Sequence, residues 1–212
     1  RYIVGGLCNN DSVRTVDFSN MGLTGGPGGI LMEQLLAENQ HLTGMSFREG
    51  TDWREGIGGL EQPVMEGLCR GLRNNSVLQT LTVKDSSMSL SALQLLLTTV
   101  KREGSIQELN LRYLRFDHPL FSPELVGMEV RRLLFECVTN NPTLRKFAFR
   151  DLQSLEGFEL TRHGYMETDE DGRALNPPVE KVHIANAGFV GSVGSNLMKE
   201  LLLGAQPLTH LE

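Results

Sequence analysis

The chain of 212 residues is poor in aromatic side chains, in cysteine and in positive charge, and the last two shortages each exclude a class of protein. Three cysteines are too few, and odd in number, for a disulfide framework, which favours a reducing, cytoplasmic location. A net charge of -6 argues against a dedicated nucleic-acid binder. No apolar run reaches the roughly 18 residues that a membrane span needs, and the first residues show no signal peptide. The composition is otherwise that of a globular chain with a sizeable core.

Leucine, by contrast, is abundant, with 34 residues, and it belongs to a short apolar pattern that recurs along the chain. The pattern places apolar residues at the first, fourth and sixth positions of a string, and it returns at intervals of 29, 36, 28, 38, 35 and 29 residues. A unit near 28–29 residues with insertions explains these intervals, and each string predicts one strand. The strings are Val13, Val16, Phe18; Leu42, Met45, Phe47; Leu78, Leu81, Val83; Ile106, Leu109, Leu111; Leu144, Phe147, Phe149; Val179, Val182, Ile184; and a seventh that begins at Leu208 and Leu211.

Segments with helical spacing of apolar residues lie between most of these strings. The unit at residues 150–178 is different, because glycine and proline interrupt it too often for a helix of three turns. There we expect a hairpin or irregular loop, with a disordered acidic loop as the alternative. The predicted helices are Gly29–Asn39, Val64–Asn74, Leu90–Arg102, Leu125–Asn140 and Val193–Leu203.

An asparagine stands three residues before the first apolar strand position in several of the units, among them those of Asn10, Asn39, Asn75 and Asn141. Asparagine tolerates the left-handed backbone that often ends a helix, so we expect these residues to end the preceding helices. The same logic predicts that the chain opens at the tail of a helix.

The pattern, with its following helix, resembles the leucine-rich repeat of the ribonuclease-inhibitor type. The strings NNSVLQTLTV, EGSIQELNL and NNPTLRKFAF are also similar to the repeats of tropomodulin-like proteins and of some bacterial effectors. The resemblance implies a single α/β leucine-rich-repeat solenoid over residues 1–212, with about six repeats, a curved parallel sheet on the concave face and helices on the convex face. One departure is that the family's usual Asn or Cys after each strand is absent, so we expect no polar ladder. The family positions hold Met21, Gly50, Ser86, Leu114, Leu152 and Ala187.

Motifs for catalysis, metals or cofactors are not evident. The glycine-rich stretch Gly25–Gly29 lacks the Lys-Ser/Thr of a phosphate-binding loop, so a turn is expected there. The acidic residues at 167–171 fail as a calcium loop, because the position that needs a bidentate glutamate is Pro178. The cysteines lie among apolar residues and are predicted to be buried thiols, and the histidines show no metal-ligand spacing.

A row of basic residues follows the last apolar position of four successive strands, and it is the strongest candidate for a binding site. Strand side chains alternate in direction, so this column should point away from the core. Arg48, Lys84, Arg112 and Arg150 would then form a row about 14 Å long that suits an acidic partner. The alternative is a solvated row that the following acids neutralise. Trp53 and Tyr113, on insertions near the row, are either aromatic anchors for a partner or packing for the insertions.

These observations predict a non-catalytic module that recognises a protein partner, one with an acidic surface, on its concave face. The alternatives are a recognition or autoregulatory segment of a larger enzyme, immune receptor or bacterial effector, and an actin-filament regulator of the tropomodulin type. Neither nucleic acid, membrane nor cofactor is expected to bind. Because the chain lacks an initiator methionine and a polar C-terminal cap, further repeats or domains of the same protein are expected at one or both ends.

Overall fold

The computed structural model describes residues 2–48, 60–116, 129–130, 132–134, 136–137, 141, 143–151, 157–162, 179–185 and 210–211. Helices and strands alternate over the first half of the chain, and strands dominate after residue 143. The helices are α1 Tyr2–Cys8, α2 Gly25–Glu38, α3 Gln62–Arg73 and α4 Leu90–Glu103, and the strands are β1 Thr15–Asp17, β2 Gly44–Arg48, β3 Thr80–Lys84, β4 Ser87–Met88, β5 Glu108–Phe116, β6 Lys146–Asp151, β7 Gly157–Arg162, β8 Val179–Ala185 and β9 His210–Leu211.

The first five predicted strands pair in parallel and in chain order, as β1, β2, β3, β5 and β6. The second apolar position of each string lies opposite its equivalent, so that Met45 pairs with Leu81 and Leu81 with Leu109. These residues are buried, because a parallel ladder in this register directs them all to the same face. The short strand β4 pairs with the end of β5.

The prediction of six successive parallel strands is wrong after β6. The strand β7 lies between β6 and β8 and is antiparallel to both, so the sixth predicted strand, β8, does not pair with the fifth. Within the unit that lacks a helical pattern, the hairpin expectation is confirmed, with Arg150 opposite Gly157. A parallel neighbour needs a long crossover, whereas a hairpin needs only a short connection. The predicted seventh strand is seen as β9, which is parallel to β8.

The predicted helices before β5 are confirmed, with small shifts of their ends. Residues 129, 130, 132–134, 136 and 137 are helical, in agreement with the fourth prediction, and Tyr2–Cys8 is the helix expected at the start. The fifth predicted helix, Val193–Leu203, lies outside the described residues. No helix in the described part of the chain is long and apolar enough to cross a membrane.

The expectation of a turn at Gly25–Gly29 is wrong, because these residues form the first turns of α2. Proline is tolerated in the first turn of a helix, so Pro27 does not interrupt it. The glycines allow α2 and α3 to approach closely: a side chain on Gly29 would overlap the carbonyl of Pro63, and one on Gly67 would overlap the backbone of Gly29. Close helix packing therefore outweighs the low helix propensity of glycine here.

The four asparagines do not adopt the left-handed backbone expected of them, since none is among the described residues with positive φ. Each instead uses its side-chain oxygen to accept two backbone N–H groups at the start of its own strand; for Asn75 the donors are Val77 and Leu78, at 3.0 and 2.8 Å. The amide nitrogen of Asn75 donates to the carbonyls of Leu36 and Asn39 in the preceding unit, at 2.8 and 3.1 Å. Asn10, Asn39 and Asn141 each accept the equivalent pair of backbone N–H groups. Asn39 and Asn141 also donate to carbonyls of the preceding unit.

These bonds form an asparagine ladder, so the expectation that the chain lacks a polar ladder is also wrong. The ladder lies before the strands rather than after them. Asn39, Asn75 and Asn141 are at most 3% exposed, and their bonds satisfy backbone groups that would otherwise be buried without partners. The fourth unit has no such asparagine, and its helix α4 ends at Gly104 in the left-handed conformation.

Candidate protein-binding surface

Helix and strand residues share one core cluster, which leaves the other face of the sheet, here called the open face, to polar side chains. Alternate residues of the parallel strands point to this face, and those whose burial the structure describes are half-buried or exposed except Gly44. In the parallel part, the open face comprises Thr15, Asp17, Ser19, Gly44, Ser46, Arg48, Thr80, Thr82, Lys84, Glu108, Asn110, Arg112, Lys146 and Ala148, with Arg150 at the equivalent backbone position.

The structure brings the four predicted basic residues into one row of backbone partners. Arg48 lies opposite Lys84, Lys84 opposite Arg112, and Arg112 opposite Arg150. Since adjacent strands are about 4.8 Å apart, like charges at these positions repel one another unless counter-charges reach them. The electrostatic potential along the row therefore depends on which of these basic residues have an acidic side chain close to them.

Two cations of the open face already have acidic partners. The guanidinium of Arg48 binds the carboxylate of Asp85 at 2.8 Å, and the ammonium of Lys146 binds Glu108 at 2.9 Å. The alternative of a row neutralised by the following acids is thus correct at Arg48. Across the described residues, no carboxylate lies within ion-pair distance of the Lys84 ammonium.

The N-terminal end of the open face carries a hydrogen-bonded acid that the sequence alone did not single out. The hydroxyl of Ser19 donates to Asp17 at 2.5 Å, and the Ser19 backbone N–H donates at 3.0 Å. These bonds, together with a side-chain bond from Ser46, lower the pKa of Asp17 below its usual value, with a smaller contribution from Arg48. Asp17 is exposed and remains charged at neutral pH, so it is a negative boundary beside the row.

A bulge follows the row in the fourth unit. The pairing of β5 with β6 shifts between Arg112 and Leu114, and Tyr113 has a positive φ of 58°. Such a backbone is rare for a large aromatic residue, and bulges of this kind redirect a side chain. Asp85 takes the same left-handed conformation directly after β3, and Asn20 takes it three residues after the end of β1. Trp53, the other predicted anchor, lies outside the described residues.

Among the described residues, no cluster of three or more His, Cys, Asp or Glu side chains suited to a metal occurs. The thiols of Cys8, Cys69 and Cys137 are buried, as predicted, and they are not in disulfides. Burial raises the pKa of Cys69 to about 11, and burial with a bond to Glu38 raises that of Cys8 to about 11. Both thiols are therefore protonated at neutral pH, which does not suit a nucleophile.

The described residues define the class of fold: an α/β structure in which a largely parallel sheet packs against helices on one face. A solved structure titled "Leiomodin-1 Actin-Binding Site 2 (ABS2)" is similar to it, with a TM-score of 0.50, 16% identity, and coverage of 69% of this chain and 76% of that chain. The tropomodulin C-terminal domain of Caenorhabditis elegans matches with a TM-score of 0.47, 15% identity, and coverage of 69% and 81% of the two chains.

At these identities the likeness concerns the fold. The likeness to the leiomodin-1 structure agrees with the resemblance stated above at the level of a parallel sheet with helices. No protein-family model matches the chain, and no curated protein sequence matches it.

Proposed function

We propose that this chain is a non-catalytic, cytoplasmic protein-recognition domain, a leucine-rich-repeat solenoid of about six repeats, which binds a partner with an acidic surface on its open face. The observation that carries the proposal is the polar open face itself. Several strands present aligned side chains there, and the described helices pack on the other side. Extended faces of this kind can vary their side chains without disturbing the core.

The row of Arg48, Lys84, Arg112 and Arg150 gives the partner its chemistry. A basic row attracts an acidic surface and mainly accelerates association, so binding should weaken as salt is raised. Tyr113, directly after Arg112, supplies an aromatic side chain beside the row, as many binding hot spots do. We include Trp53 among the proposed contacts on the same grounds.

The proposal is tested by capture of partners from a cell extract with the wild-type chain and with a variant in which Lys84 and Arg112 are both changed to Glu. A control variant with Lys101 and Arg102 changed to Glu alters the net charge equally, but on the exposed last turn of α4. Partners that bind wild type and control but not the row variant would support the proposal, provided that all three proteins melt normally. Equal capture by all three would contradict it.

Actin is a second, more specific candidate, and the fold likeness to the actin-binding site of leiomodin-1 favours it. We infer that the chain binds actin through the open face. Sedimentation with purified filaments and a polymerisation assay with labelled monomers test this directly. Binding that the Lys84 and Arg112 double variant loses would support actin as the partner. Absence of any effect on sedimentation or polymerisation would exclude actin and leave the general proposal to the capture experiment.

A further inference from the structure

The pairing of charges along the basic row follows a rule that the structure makes visible. Asp85 comes directly after the row residue of its own strand, Lys84, yet its carboxylate binds Arg48 of the preceding strand at 2.8 Å. The acid therefore reaches back by one unit. Its left-handed backbone, with φ of 46°, turns the chain at this point, and its N–H bonds the carbonyl of Arg112 at 3.1 Å.

The next unit repeats this backbone but not the acid. Tyr113 stands directly after Arg112, with φ of 58°, at the position that Asp85 occupies in the unit before. By the same geometry, a carboxylate at position 113 would serve Lys84. Because tyrosine stands there, the Lys84 ammonium is without an acidic partner among the described residues, although it is half-buried and lies between two arginines in register.

The choice of tyrosine is notable because asparagine and aspartate adopt a left-handed backbone more readily than a bulky aromatic residue does. The left-handed backbone at position 113 therefore favours aspartate, whose carboxylate would neutralise Lys84, but the chain has tyrosine there. Strained residues of this kind persist where the surrounding structure holds them, and they are often found at binding sites.

We propose that Lys84 is the anchor of the open face, and that it binds a carboxylate side chain of the acidic protein partner in the position that Asp85 takes at Arg48. The inference rests on the proposed function, and it names one cation of the row, Lys84, as the main contact of the partner. Arg48, which Asp85 already neutralises, contributes little, and Tyr113 keeps Lys84 open by withholding the internal acid.

A hexaglutamate peptide with a fluorescent label is a suitable probe, with hexaglutamine as its uncharged control. At low salt we expect the glutamate peptide alone to bind. Lys84→Gln should weaken its affinity about three- to fivefold, the size expected for an exposed charge pair. Lys101→Gln, which removes an equal charge from α4, should have no effect.

Two further variants test the reaching-back rule. Tyr113→Asp should supply the internal carboxylate and weaken peptide binding about threefold more than Tyr113→Asn, which tolerates the same backbone without the charge. Asp85→Asn should release Arg48 and strengthen binding by a similar factor. All of these variants should melt close to the wild-type chain, since none of the changed side chains belongs to the buried core.

Four outcomes would overturn the inference: no binding of hexaglutamate by the wild-type chain, no effect of Lys84→Gln, equal binding by the aspartate and asparagine variants at position 113, or no gain from Asp85→Asn. An equal loss in both variants at position 113 would assign the contact to the tyrosine ring. These results are separate from the capture and actin experiments, which report on a partner whether or not its contact is a carboxylate at Lys84.

Discussion

Strands are added to the sheet in two different ways. The part from β1 to β6 is parallel, and the part from β6 to β8 is antiparallel. In the parallel part, a helix between two strands, such as α3 between β2 and β3, returns the chain to the edge of the sheet at which the strands begin. In the antiparallel part, residues 152–156 suffice to connect β6 with β7. The difference follows from geometry, since parallel neighbours need a crossover and antiparallel neighbours do not.

The two parts also differ in what their pairing requires. The parallel part uses close helix contacts at glycine and buried asparagines that join successive units. The antiparallel part is joined by ladders on both sides of β7. The comparison therefore predicts that glycine and asparagine substitutions affect one part, and strand substitutions the other.

The largest effect is expected from Gly67→Ala. The added methyl group would overlap the backbone of Gly29, which cannot move aside without separating α2 from α3. Overpacking of this kind should lower the free energy of unfolding by about 3 kcal/mol or more in urea denaturation. Gly26→Ala is the matched control, because a methyl group there meets no atom within 4 Å and should leave stability equal or slightly higher. Equal stability of the two variants would show that α2 and α3 are not held by this contact.

A comparable but local effect is expected from Glu159→Pro in β7. Proline removes a ladder N–H from a strand that pairs on both sides, at a cost of about 3 kcal/mol to that part of the sheet. Amide exchange should then accelerate in β6 and β8 but remain slow in β2 and β3, whereas Glu159→Gln should change neither. Uniform acceleration across the sheet would indicate that the two parts unfold as one unit.

Asn75→Ala should lower the free energy of unfolding by about 2 kcal/mol, because it leaves buried backbone groups of two units without partners. The neighbouring residue offers a close control: Asn74 is exposed and makes one long side-chain bond, to the carbonyl of Arg70 at 3.4 Å. Asn74→Ala should change stability by no more than about 0.5 kcal/mol. A reversed order of the two variants in thermal melting would contradict the ladder.

The smallest effect concerns Asp17 at the edge of the open face. Its pKa is lowered in the folded chain, so its stabilising contribution is present above the ordinary aspartate pKa of about 4 and is lost as the pH falls through the lower, folded value. Ser46→Ala should raise the pKa of Asp17 in an NMR titration and move this loss to higher pH. Thr82→Ala, at the register position of Ser46 on the next strand, should leave the titration unchanged.

Features that repeat along the chain could be predicted from the sequence, whereas features that depend on contacts between units could not. Apolar spacing located β1, β2, β3, β5 and β6, and strand alternation placed Arg48, Lys84 and Arg112 in one row. The spacing also located the asparagines, but their role was mistaken, because the acceptors of Asn75 lie in the preceding unit and only the fold brings them near.

Other errors have similar causes. Gly25–Gly29 has the composition of a turn, and its helical state depends on α3 packing against it. The glycines and prolines of residues 150–178 indicated a hairpin or irregular loop, but not that β7 would separate β6 from β8. The pairing of Asp85 with Arg48 depends on a left-handed backbone at Asp85, which no apolar pattern reveals.

The asparagine ladder also gives the chain a direction. Asn39 and Asn75 donate to carbonyls of the unit before them, while their oxygens serve their own unit. Loss of Asn39 should therefore weaken the contact with the unit before it and leave the contact with the unit after it in place, since Asn75 makes that contact. Local unfolding of this chain should therefore involve whole units, and the asparagine that is lost should decide at which unit the unfolded part ends.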